Sequence, residues 1–185
     1  MLLPDQPGPH AHELIGGGKQ GTLYVVDRDA MGHYKASGDT QIVQALPGAL
    51  TQTTDTVDAG LWSTPTYWNS LVYVAGRRDV IKVFSMQNGL LTGPISEGTN
   101  TYIIPETAVS SNGAYNPILW LTQTEPENAL RAFNPYDVTQ EYYDSTQAGT
   151  RDTPGGGIGR FIVPVVANGK VYVATKKELD VYGLF

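Results

Sequence analysis

Two carboxylates two positions apart are the first groups in this chain whose spacing could do chemistry. Asp27-Arg28-Asp29-Ala30-Met31-Gly32 sets them as in a calcium loop, with glycine at the sixth position. Met31 stands at the fifth position, however, and no bidentate glutamate follows at the twelfth. The competing reading is a charged β-turn in which Asp27 accepts backbone hydrogen bonds. His10 and His12, joined by His33, could chelate a transition metal, although histidines between prolines near a terminus are usually solvated. Gly16-Gly17-Gly18-Lys19-Gln20-Gly21 suggests a phosphate cradle, but Gln20-Gly21 stands where Ser or Thr must open a helix, so a turn is the better reading. Gly155-Gly156-Gly157 reads as a connector.

General acid–base work needs two groups with separated proton affinities facing one cavity. Asp144 with Glu141, and Asp55 with Asp58, are the available pairs, each in a polar run that a solvated loop explains equally well. Ser110-Ser111-Asn112-Gly113 lacks the Gly-x-Ser-x-Gly elbow of a serine nucleophile and reads as a turn. Cysteine chemistry is excluded by composition, since there are no cysteines among the 185 residues. Eleven tyrosines could stack on sugar rings, making a carbohydrate a possible ligand. No catalytic residue is assigned.

The net charge is −6, and no Lys/Arg cluster offers a polyanion the cationic face it needs, so nucleic acid is not expected as a partner. No apolar run reaches the roughly 20 residues of a membrane span. Met1 to Ala11, rich in proline, lacks the basic and apolar regions of a signal peptide. Twenty-one glycines and 12 prolines demand many turns and leave little room for long helices.

Short β-branched and aromatic runs recur at Leu23-Tyr24-Val25-Val26, Leu71-Val72-Tyr73-Val74, Ile118-Leu119-Trp120-Leu121 and Val171-Tyr172-Val173-Ala174. With Tyr24, Tyr73, Trp120 and Tyr172 taken as equivalent, the intervals are 49, 47 and 52 residues, a period near fifty. Gln20-Gly21, Asn69-Ser70 and Asn168-Gly169 precede three of the runs as hairpin turns, and a second apolar run follows the marker at Ile81 to Phe84, Ala129 to Phe133 and Leu179 to Tyr182. Gln41 to Leu46 and Glu141 to Tyr143 can supply outer strands, and Phe161 to Val166 an innermost one. A fifty-residue unit of four antiparallel strands is a β-propeller blade. The expected fold is therefore all-β, a partial propeller of about three and a half blades at 12–50, 61–100, 102–147 and 160–185, after an irregular segment 1–11. Tyr24, Tyr73, Trp120 and Tyr172 are expected as structural repeat positions between blades.

Leu23 to Asp29 with Met31-Gly32-His33, and Phe161 to Val173, resemble the pyrroloquinoline-quinone-type repeat of the quinoprotein-alcohol-dehydrogenase-like propellers. Leu3 to His10, Ser63-Thr64-Pro65, Ser110 to Gly113 and Leu179 to Leu184 are similar to the C-terminal part of larger bacterial propeller proteins of undefined function. The family's blade-closing pattern Ala-x-Asp-x-x-Thr-Gly-x-x-x-Trp survives only in worn form, at Phe84 to Gly89 and Ala132 to Thr139. The resemblance implies a bacterial, exported protein, extracellular or periplasmic, with further blades upstream. Its implied role is a non-enzymatic scaffold or interaction module, without a cofactor of its own. The alternative is a fragment of a quinone-dependent oxidoreductase whose active site, with pyrroloquinoline quinone and calcium, lies in upstream blades. Metal ligation within this chain falls to Asp27 and Asp29, if to any residue. The expected partners are upstream blades or a second copy of the chain, since an incomplete ring leaves apolar faces open.

Overall fold

In the computed structural model, which describes residues 1–51 and 59–183, four antiparallel sheets follow one another along the chain. The first contains β1 (Glu13–Gly17), β2 (Leu23–Asp27) and β3 (Gln44–Leu46). The second runs β4 (Thr66–Trp68), β5 (Leu71–Ala75), β6 (Ile81–Gln87), β7 (Leu90–Glu97). The third runs β8 (Glu106–Asn112), β9 (Tyr115–Gln123), β10 (Ala129–Phe133), β11 (Glu141–Asp144), and the fourth β12 (Val165–Ala167), β13 (Lys170–Ala174), β14 (Leu179–Gly183). In each, strands adjacent in sequence are adjacent in space. A single 3-10 turn at Gly149–Arg151 is the helical element among the described residues.

Tight turns set the registers. Asn69-Ser70, Asn88-Gly89 and Asn168-Gly169 all have positive φ at both positions, 46° and 61°, 50° and 78°, 52° and 71°. That is the backbone of a type I′ hairpin, whose twist matches the strands it joins. Phe161 also has positive φ, 63°, and the innermost strand of sheet four begins only at Val165, so Phe161 to Pro164 is a bend and not the strand expected there.

The first sheet differs from the repeat read in the sequence. Gln20-Gly21 belongs to the longer turn 18–22 between β1 and β2, where the departing chain is tied by Leu50 N–H to Gly21 O and Leu61 N–H to Gly18 O. In sheet two the corresponding ties, Arg78 N–H to Tyr102 O and Tyr102 N–H to Asp79 O, fall on the β5–β6 turn. So β1 and β2 correspond to β5 and β6. The place of β4 is taken by Met1 to Leu3, which run antiparallel to β1 through Leu3 N–H to Glu13 O, Ile15 N–H to Met1 O and a Leu2–Leu14 bridge. Tyr24 therefore lies one strand further out than Tyr73, Trp120 and Tyr172, which share the second position of their sheets.

Alternation along each strand sends apolar side chains to both faces. In β5, Val72 and Val74 join Leu3, Ile15, Leu23 and Val25 of sheet one, whereas Tyr73 and Ala75 join Leu119, Leu121 and Phe133 of sheet three. From sheet three, Leu130 and Trp120 turn to Ile158, Val171 and Val173 of sheet four. Three apolar layers thus bind four sheets face to face. Polar bonds lock the stack at its rim and axis. Gln44 exchanges two hydrogen bonds with the Leu91 backbone, 2.9 and 2.8 Å, Thr66 Oγ1 donates to Thr107 O at 2.8 Å, and Thr122 Oγ1 donates to Ile162 O at 2.6 Å.

Tyr73 is fully buried, yet its hydroxyl has no hydrogen-bond partner. Truncation to alanine removes the ring that fills the layer between sheets two and three, and should cost about 3–5 kcal/mol. Tyr73→Phe deletes only the unsatisfied hydroxyl, and should raise stability by about 1 kcal/mol. Urea denaturation of both variants checks the pair. A loss of stability in Tyr73→Phe would mean that the hydroxyl is satisfied.

Candidate functional site

The carboxylates singled out by spacing are occupied locally. His10 Nδ1 lies 2.8 Å from Asp27 Oδ2, and the Asp29 N–H donates to Asp27 Oδ1 at 2.8 Å. His12 Nδ1 lies 2.6 Å from Asp29 Oδ2. The His10 bond, with the Asp29 N–H, holds the Asp27 carboxyl below its ordinary range, and the Asp29 bond pulls the His12 ring up. This is a turn braced by two His–Asp contacts. Among the described residues no three His, Cys, Asp or Glu side chains converge as a metal site. Gly16 and Gly17 lie in β1, and the turn beyond them leads into a strand and not a helix.

Glu141 and Asp144 do not form an acid–base pair. Both contact the buried Arg131, through NH1 at 2.7 and 2.5 Å, and Gln123 accepts from Nε at 2.7 Å. The guanidinium is held by these three partners within its own sheet and by Glu127 of the β9–β10 turn at 3.4 Å, an arrangement that fixes β11 on β10. Asp55 and Asp58 lie outside the described residues.

Several carboxyls that spacing does not single out have displaced proton affinities. Burial raises Glu13, whose two oxygens have no hydrogen-bond partner, whereas Asp79 is held down against its burial by Lys82 and the Thr51 N–H, and Glu106 is moved most clearly. Glu106, at the start of β8 and 4% exposed, receives a single long bond from the Thr64 N–H at 3.4 Å, and burial pushes it up to about 7. Its signal in the sequence is a charge set inside an otherwise apolar stretch, Ile103-Ile104-Pro105-Glu106-Thr107-Ala108-Val109.

Among the described residues three surfaces stand open, a cleft and the two end faces of the stack. The first is a cleft of about 1360 Å³ between sheets three and four. Trp120 and Ile118 form one wall and Val166, Val171 and Tyr182 the other, with Arg151 and Asp152 at the margin. Trp120 Nε1 donates to Ser110 Oγ at 2.8 Å, which fixes the indole, while the Tyr143 and Tyr182 hydroxyls donate to Asp152, each at 3.0 Å. The cleft opens where sheets two and three carry a fourth strand and sheet four, among the described residues, ends at β14.

The second surface is the face of sheet four turned away from sheet three. Register places Val165, Tyr172 and Val181 in one row and Ala174 with Leu179 in the next. Val165, Leu179 and Val181 are 57%, 59% and 50% exposed. At the other end of the stack, Leu14 pairs with Val26, and Tyr24 pairs with Ala45, on the face of sheet one opposite Leu23 and Val25. Among the described residues no apolar layer joins these two end faces, so the four sheets form an open arc.

No family model and no curated protein matches the sequence. The structure is similar to BamB from Moraxella catarrhalis at a TM-score of 0.60 and 15% identity, over 96% of this chain and 46% of that one. The fold is part of a β-propeller. Identity this low shows the fold alone, and the chain spans less than half the length of that propeller.

Two measurements check the environment of these groups. A carboxyl whose folded value near 7 exceeds its unfolded value near 4.3 holds its proton longer in the native state, so its stabilising contribution is complete below about pH 4 and is lost as pH rises through 7. Glu106→Gln should therefore be more stable than the native chain at pH 8, by on the order of 3 kcal/mol, and equal to it near pH 4. A pH-independent difference would contradict the burial argument. Trp120→Ala, at a half-buried cleft wall, should cost about 2 kcal/mol, less than Tyr73→Ala, as judged from paired thermal melts.

Proposed function

We propose that this chain is a non-enzymatic interaction module, an arc of a pyrroloquinoline-quinone-type repeat propeller whose end faces receive protein partners. The repeat units are 12–50, 61–100, 102–147 and 160–185, with Met1 to Leu3 joined to the first. One observation carries the reading. Sheet four presents Val165, Tyr172, Leu179 and Val181 on a face that no other described residue is seen to layer over, and large adjoining apolar side chains left in water mark interaction sites. The chemistry of the remaining groups supports the same conclusion. Among the buried carboxyls Asp144 is committed to Arg131 and Asp79 to Lys82, Glu13 has no hydrogen-bond partner and Glu106 a single long one, and the paired His and Asp residues brace a turn. The family resemblance supports an extracellular or periplasmic location. No helix among the described residues is long and apolar enough to cross a membrane.

If the face serves a partner and not the fold, Leu179→Asp and Val181→Asp should each leave the thermal midpoint of dilute, submicromolar protein within the range of ordinary surface changes, about 0.5 kcal/mol. Val173→Asp, fully buried on the opposite face, should prevent folding. Titration calorimetry with pyrroloquinoline quinone and calcium should give no heat beyond dilution. A micromolar isotherm for the quinone would overturn the non-enzymatic reading.

A further inference from the structure

We propose that the partner is a second copy of this chain, seated head to tail, so that sheet one of each copy packs on sheet four of the other and the two arcs close one ring. The inference rests on the interaction-module reading and names the occupant of its end faces.

Both end faces have the pattern that the internal layers use. Sheet one offers Leu2, Leu14 and Val26 in one row and Tyr24 and Ala45 in the next, while sheet four offers Val165, Tyr172 and Val181, then Ala174 and Leu179. Each is a twisted antiparallel sheet with aliphatic side chains around a central tyrosine. The surface that best covers such a face is another sheet of the same twist, about 10 Å away.

Charge selects the pairing. Residues 1–50 carry Lys19, Arg28 and Lys35 against Asp5, Glu13, Asp27, Asp29 and Asp39, a net −2. Residues 158–183 carry Arg160, Lys170, Lys176 and Lys177 against Glu178 and Asp180, a net +2 in a chain whose overall charge is −6. Sheet four against sheet four would set two cationic ends together, and sheet one against sheet one two anionic ends. Only the head-to-tail pairing joins opposite signs.

The count of sheets gives closure. Four per copy makes eight, within the four to eight blades of closed propellers. The resulting assembly has a twofold axis and leaves neither end face free, whereas a head-to-tail contact that failed to close would grow into a filament.

Multi-angle light scattering at tens of micromolar tests the stoichiometry, with an expected mass twice the 20.0 kDa of the chain. Val181→Glu should shift the species to a monomer that still unfolds cooperatively, its midpoint lowered only by the lost association and independent of protein concentration, and raising salt from 50 to 500 mM should weaken association at least tenfold. Because the native chain has no cysteine, Ala45→Cys and Val181→Cys chains can be mixed and treated with a bismaleimide of about 10 Å reach. Cross-linking should require both variants. A 20.0 kDa monomer throughout, a higher polymer, or cross-links within Val181→Cys alone would each overturn the proposal. A monomer that is also silent toward the quinone would leave the interaction reading standing with another partner, whereas quinone binding would remove that reading itself.

Discussion

A β-sheet with apolar side chains on both faces cannot stand alone in water, and every other feature of this chain follows from that constraint. Val72 and Val74 on one side of β5, with Tyr73 and Ala75 on the other, require a neighbour in each direction. The same holds for Leu119 and Leu121 against Trp120 in β9. Stacking satisfies the inner sheets completely and passes the problem to the ends. A central sheet gains burial worth roughly 1.5–3 kcal/mol for each large apolar side chain on either face, while an end sheet gains it on one face only. The polar contacts, Gln44 on Leu91, Thr66 on Thr107 and Thr122 on Ile162, add little net energy by comparison, but they fix how each sheet is rotated on the next.

Much of this was readable from the residues, because the period near fifty and the period of two within it are both direct consequences of stacked four-stranded sheets. Asn168-Gly169 and Asn69-Ser70 announced their hairpins, since few residue pairs accept positive φ twice in succession. The placement of the first unit was not readable. Leu23-Tyr24-Val25-Val26 has the composition of a second strand, and Gln20-Gly21 the look of a hairpin, but only the hydrogen bonds of the departing chain show that β2 corresponds to β6. Met1 to Leu3, directly ahead of a run rich in proline and without periodicity, gave no sign that they would join a sheet.

The candidate site was less legible than the fold for a related reason. Linear spacing states which carboxylates are near each other, not which cation they meet. Glu141 and Asp144 were drawn to Arg131 from the neighbouring strand, and Asp27 and Asp29 to His10 and His12. The groups that distinguish the molecule, Glu106 and the cleft wall at Trp120 and Tyr182, depend on which sheet faces which. Each is a consequence of stacking and belongs to no motif. The functional reading accordingly rests on faces and edges, where an arc of propeller differs from a closed ring.

The central claim is that the four sheets form an open arc with two free end faces. Spin labels at Ala45→Cys and Val181→Cys of one chain, diluted into unlabelled protein, measure the separation of those faces directly. Three intervening layers predict a distance within the chain of more than about 20 Å. A distance near a single sheet spacing, about 10 Å, would mean that sheet one packs on sheet four of its own chain and that no face is left for a partner.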